Sequence, residues 1–271
     1  ASTPLFYKFS KQLIYHDITA KGSSLSYFLA YKNGLKKVVD RVKPDIICVC
    51  DDGLKGFSEL TLQEGIKQLA RLYSLGYPIE EINQAYVAMM ESISKQENSS
   101  KTDLLDNYQL ALHLVSLSYL LNEHKYKNVV QKIMATPIQE DRLMSFLLYP
   151  EKGLDVEKAI KYPVPYQFLN DAILNKTGQS DLINTFLKSY YSGIKRYQWH
   201  NSHLNDEKNF FGYWSFELAA IVKILAINDS PFAGHMFYPR DLTDKIFLPT
   251  WEDSLRGRAA QEELERLNAL L

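Results

Sequence analysis

With 271 residues, of which 46% are hydrophobic, 13% aromatic and 23% charged, the chain has the composition of a globular protein with a real core, in one large domain or two modest ones. A formal net charge of −1 and a pI of about 6.7 give no global signature of a nucleic-acid binder or a membrane-surface protein. The only cysteines, Cys48 and Cys50, sit too close for an ordinary disulfide in one extended segment, and two lone thiols fit a reducing compartment. No apolar leader opens the sequence, and the longest apolar stretch, Gly212 to Ile227, contains Glu217 and Lys223 and is too short for a membrane span. These features point to the cytoplasm.

Helical periodicity recurs along the chain. The best strand candidate, Ile46 to Cys50, is isolated. Leu62, Ile66, Leu69, Ala70 and Tyr73 fall on one helical face, with Thr61 and Glu64 as a capping box and Gly76 as a C-terminal stop. Pro78 opens a second helix carrying Ile79, Ile82, Ala85, Tyr86, Met89, Met90 and Ile93, so the two make a hairpin around Leu75, Gly76 and Tyr77. After a polar break at 97–101, Asp103 leads into a stripe of Leu104, Tyr108, Ala111, Leu112, Val115 and Tyr119. Leu143, Phe146 and Leu147 mark a short helix that Pro150 ends, and Pro163 with Pro165 makes a joint. A long helix is predicted from Asp181 through Tyr197, with Phe186, Leu187, Tyr190 and Ile194 facing inward, and a buried core helix over the Gly212 to Ile227 stretch.

The expected fold is all-α: an irregular array of antiparallel helical hairpins in two packed halves, residues 1–125 and 126–250. No fixed-period repeat supports a solenoid. Residues 251–271 differ in style, with Arg256, Arg258 and Arg266 but no Lys or Tyr; Leu264, Leu267, Leu270 and Leu271 make an amphipathic helix, either a native terminal helix or a vector-derived extension.

Motifs for catalysis are sparse. His200 and His203, with Asp206 and Glu207 behind them and His235 further on, come nearest to a metal site, and would be the centre of a metal-dependent hydrolase. The i, i+4 histidine pair with an adjacent Glu is missing, and local hydrogen bonding near a helix end is the simpler reading. Cys48 and Cys50 lack a second ligand pair, and no phosphate-binding loop, nucleophile elbow or kinase signature occurs. No cofactor is expected, and the chain reads as a non-enzyme that binds another protein; a helical adaptor is the third reading. Oligomeric state is left open, since amphipathic helices pack equally well within and between chains.

Charge is unevenly placed. The first sixty residues lean basic, whereas Glu140, Asp141, Glu151, Asp155 and Glu157, and then Asp206, Glu207, Asp229, Asp241 and Asp244, lean acidic. Such clusters are either solvated surface or a face for a basic partner.

The sharpest pattern lies between Tyr190 and Leu242. It runs through Tyr190, Tyr191, Lys195, Trp199 and His203 to Gly212, Tyr213, Trp214, Ser215, Phe216 and Glu217, then Ala219 and Ala220. It closes with Asp229, Ser230, Tyr238, Pro239, Arg240, Asp241 and Leu242. This series resembles the C-terminal domain of the PoNi family, bacterial immunity proteins paired with PoNe-type DNase toxins. The hairpin at Leu72 to Tyr77 and the helix around Val115 to Leu117 resemble that family's N-terminal domain. The chain departs from the pattern where a Trp is expected near Tyr190 and an acidic residue at Asn228. The resemblance implies a cytoplasmic inhibitor of a cognate toxin, often one delivered by a contact-dependent or type VI secretion route, and no binding of nucleic acid or membrane. Gly212, Tyr213, Trp214, Glu217, Tyr238 and Pro239 are expected to be scaffold, with Glu217 buried and partnered by Tyr238 or Lys195. Asp206, Glu207, Asp241 and Asp244 are the expected toxin contacts.

Overall fold

The computed structural model describes residues 62–75, 78–96, 105, 107–197, 199–200 and 211–243. These form nine α-helices, and among the described residues there is no strand. The strand candidate at Ile46 to Cys50, the capping Thr61, the Gly76 turn and the terminal segment 251–271 lie outside the described residues.

Helices α1 (Leu62–Leu75) and α2 (Ile79–Gln96) pair as the sequence predicts. Helix α3 (Tyr108–Leu120) begins at Asn107, whose side chain accepts a hydrogen bond from the Leu110 amide at 3.1 Å, rather than near Asp103. Every α3 residue except Tyr119 is buried, so this helix runs through the interior of the described residues and is not a surface element. Ahead of it Leu105 is held to the chain beyond α4 (Lys127–Ile133), donating to the Ile133 carbonyl at 2.7 Å and accepting from Ala135 at 3.0 Å.

Helices α5 (Thr136–Gln139) and α6 (Arg142–Leu148) follow, and α6 stops before Pro150, which starts a 3₁₀ turn. The proline joint is itself the start of a helix, α7 (Pro163–Leu174): Pro163 takes a first-turn position, Val164 is non-helical at φ −107° and ψ 120°, and the Val164–Pro165 bond is cis. Helix α8 (Gln179–Gly193) packs along α7 and ends four residues before Tyr197. At Gly193 the two helices come so close that an added Cβ would lie 2.5 Å from the Pro165 Cβ. The chain then turns, and Arg196 donates to the Val164 carbonyl at 2.6 Å.

The predicted helix from Gly212 to Ile227 is shorter than its apolar run. Only α9 (Phe216–Leu225) is helical, ending where Ala226 turns left-handed at φ 51°, while residues 211–215 are non-helical. Ala219 and Ala220, both fully buried, lie on α9, which packs against α3. One continuous apolar core therefore runs through elements on both sides of residue 125.

Candidate functional site

The segment 211–217 is where the chain's distant parts meet. Gly212 has φ +96°, a region that favours glycine, and a Cβ there would collide with the Ser74 hydroxyl and lie 2.7 Å from the Trp214 indole nitrogen. Ser74 on α1 donates to the Phe211 carbonyl at 2.8 Å and accepts from Trp214 Nε1 at 2.8 Å. Its neighbour Tyr73 meets Trp214 and Phe216 edge-on, with ring centroids 4.9 and 5.6 Å apart. Tyr213 donates to the Trp199 carbonyl at 3.2 Å, and the Ser215 amide donates to the Phe237 carbonyl at 2.8 Å. With these groups committed to α1 and to the closing loop, the apolar run cannot coil until Phe216.

Glu217, in the first turn of α9, is fully buried. Its partner is neither Tyr238 nor Lys195: the Ser215 hydroxyl donates to Oε1 at 2.9 Å, and among the described residues Oε2 has no hydrogen-bond partner. Burial raises the carboxyl to about 7, against the opposing pull of its own backbone amide and of Ser215. Around it lie groups that are uncharged at neutral pH. Burial holds the phenols of Tyr108, Tyr166 and Tyr190 well above their ordinary value, with the Glu217 charge adding to the rise, and lifts Tyr197 to about 12. Burial also drives His113 on α3 down to about 3, and the Trp214 carbonyl, which favours the charged form, does not offset the loss of water. Gln109, one turn earlier on α3, donates to the Tyr190 hydroxyl at 3.1 Å, and that hydroxyl donates to the Trp214 carbonyl at 3.4 Å.

Tyr238 serves a different corner. Its hydroxyl donates to Asp229 Oδ2 at 3.1 Å, and Arg240 stands 3.8 Å from the same oxygen. Pro239 is buried just before the 3₁₀ turn Arg240–Leu242. Asp241, in that turn, is partly buried. The other three expected contacts, Asp206, Glu207 and Asp244, lie outside the described residues, as does His203.

His200 is partly buried and lies against Tyr191 at 4.5 Å, while His235 Nδ1 accepts from the Phe237 amide at 3.3 Å. Among the described residues no three His, Cys, Asp or Glu side chains are placed to hold a metal ion. Nor is any described helix long and apolar enough to cross a membrane.

The first acidic region is not a uniform surface. Asp141 is fully buried at the N-terminus of α6, accepting from the Met144 amide at 3.1 Å, the Tyr108 hydroxyl at 2.7 Å and the Lys161 amide at 2.9 Å. Glu140 is paired with Lys161 at 2.8 Å and Glu151 with Lys127 at 3.4 Å. Sequence reasoning missed Asp141 as a cap, although an Asp directly before an apolar run is a recognisable helix start. It also missed Ser74 and His113, which carry no local signal, and Lys223. The Lys223 amine donates to the carbonyls of Tyr119 and Leu120, both at 3.0 Å, closing the end of α3.

Residues 54–135 match the profile for the N-terminal part of PoNe immunity proteins (PoNi), and residues 139–242 match that for the C-terminal part. The chain belongs to the PoNi family. It is thus an immunity protein whose partner is a cognate toxin. No curated protein and no solved structure matched the chain. In PoNi terms, the Ser74 contacts join the N-terminal part to the segment that opens α9 in the C-terminal part, and the Asp141 contact with Tyr108 does the same at α6.

Proposed function

We propose that this PoNi protein neutralises a DNase toxin by forming a stoichiometric protein complex with it, without catalysis. The observation that carries this reading is the match to both parts of the family across residues 54–242. A DNase acts where the DNA is, so the inhibitor's place of work is the cytoplasm of a cell exposed to the toxin, delivered by a route such as type VI secretion. A DNase cleft is basic because it holds phosphates, and an acidic face on the inhibitor would steer the encounter. Asp241 with Asp206, Glu207 and Asp244 is the proposed face; the 140–157 region supports it less well, since Asp141 is buried and Glu140 and Glu151 are already paired with lysines.

The test is co-expression with the C-terminal domain of the cognate toxin, scoring survival and co-purification together. Rescue with a stable one-to-one complex is expected, and killing despite good expression of the inhibitor would overturn the reading. Charge reversal at Asp241, Asp206, Glu207 and Asp244 is expected to slow association and weaken its salt dependence. Unchanged kinetics would remove these residues from the interface.

A further inference from the structure

Glu217 is 0% exposed, and among the described residues it receives one side-chain hydrogen bond, from Ser215 to Oε1, with no donor on Oε2. The titratable groups that sense its charge are phenols: Tyr108 on α3, Tyr166 on α7, Tyr190 on α8 and Tyr197 just beyond it. Two described cations on the surrounding helices have acceptors of their own. Lys223, at the far end of α9, closes the end of α3, and Arg71 on α1 is paired with Glu64. An ionised carboxylate taken out of water with a single hydroxyl donor is strongly disfavoured relative to the neutral acid. We propose that Glu217 keeps its proton in the folded protein across the mildly acidic range, so that folding takes up a proton and the fold weakens as pH climbs toward neutrality.

The direction follows from linkage. In the unfolded chain the carboxyl loses its proton around 4.5, and in the folded chain it holds it up to about 7. Its contribution to stability is therefore whole below 4.5 and is lost as pH rises to about 7, with no further change above that. Within that window each pH unit lowers the folding equilibrium constant about tenfold. The weakened contact is the start of α9, where it meets α3 and the Ser74 junction, so the loss bears on the seam between the two parts of the chain.

Two measurements on the full chain test this. The carboxyl carbon of Glu217, followed by NMR on protein labelled with ¹³C-glutamate, is expected to titrate near neutrality; a midpoint in the ordinary glutamate range overturns the proposal whatever happens to any variant. Urea unfolding of wild type and Glu217→Gln from pH 5 to 8 gives the second readout. The ratio of folding constants, variant over wild type, is expected to grow about tenfold per pH unit up to about pH 7 and then level. A ratio independent of pH overturns the proposal, and because His113 titrates in both proteins its effect cancels from the ratio.

Discussion

Two fully buried acidic side chains, Asp141 and Glu217, both follow α3 in the chain and are accommodated in opposite ways. Asp141 accepts from three donors supplied by three segments: the α6 amide of Met144, the α3 hydroxyl of Tyr108 and the loop amide of Lys161. Among the described residues Glu217 has one hydroxyl donor, two positions away in sequence, and an oxygen with none. The contrast shows that burial alone does not decide what a carboxylate costs the fold; the number of donors replacing its lost water does. Asp141 acts as a rivet between α3, α6 and the loop before α7, whereas Glu217 is tolerated at the start of α9.

Removing the better satisfied group is therefore the largest expected perturbation. Asp141→Ala should destabilise the fold by about 3 kcal/mol, because it removes a helix cap and leaves the Tyr108 hydroxyl and Lys161 amide without their acceptor. Urea unfolding at pH 7 measures it, and a loss no larger than that of a surface substitution would break the comparison. Glu217→Gln should instead gain on wild type as pH rises, by about tenfold in folding constant per pH unit up to about pH 7.

Next in size is Gly212→Ala, expected to cost about 2 kcal/mol through its positive φ and the contact with Ser74 and Trp214. Thermal unfolding together with loss of Trp near-UV dichroism would register it. If the variant unfolds like wild type, residues 211–215 do not fix how α9 is presented to α3.

Acid titration sharpens the comparison from the other side. His113 is neutral when buried and falls to about 3 from an ordinary 6.5, so its contribution is whole above 6.5 and is lost as pH falls toward 3. His113→Leu should flatten the loss of stability below pH 6 by about 2 kcal/mol at pH 4.5. Equal acid limbs in variant and wild type would assign acid unfolding to other groups. The smallest effect belongs to Glu140→Ala: its pairing with Lys161 is at the surface, and no measurable change in unfolding midpoint is expected, in contrast to its neighbour Asp141.

The helical hairpin of α1 and α2, the short α6 and the burial of Phe186, Leu187, Tyr190 and Ile194 were all legible in the spacing of apolar residues, which encodes one face of a helix directly. The family was legible too, because its linked motif from Tyr190 to Leu242 is long and ordered. What local pattern could not carry was anything set by a partner far away in the chain. The Gly212 to Ile227 run reads as one helix, yet Ser74, 137 residues before Phe211, draws its first part out of the helix. Pro163 and Pro165 read as a break and instead open α7. Asp141 and Glu217 are the same kind of letter in the sequence, an acidic residue beside an apolar stretch. Only the tertiary structure decided that one would gather donors from three segments and the other would face phenols, because hydrogen bonds to a side chain come from whatever the fold brings within about 3 Å.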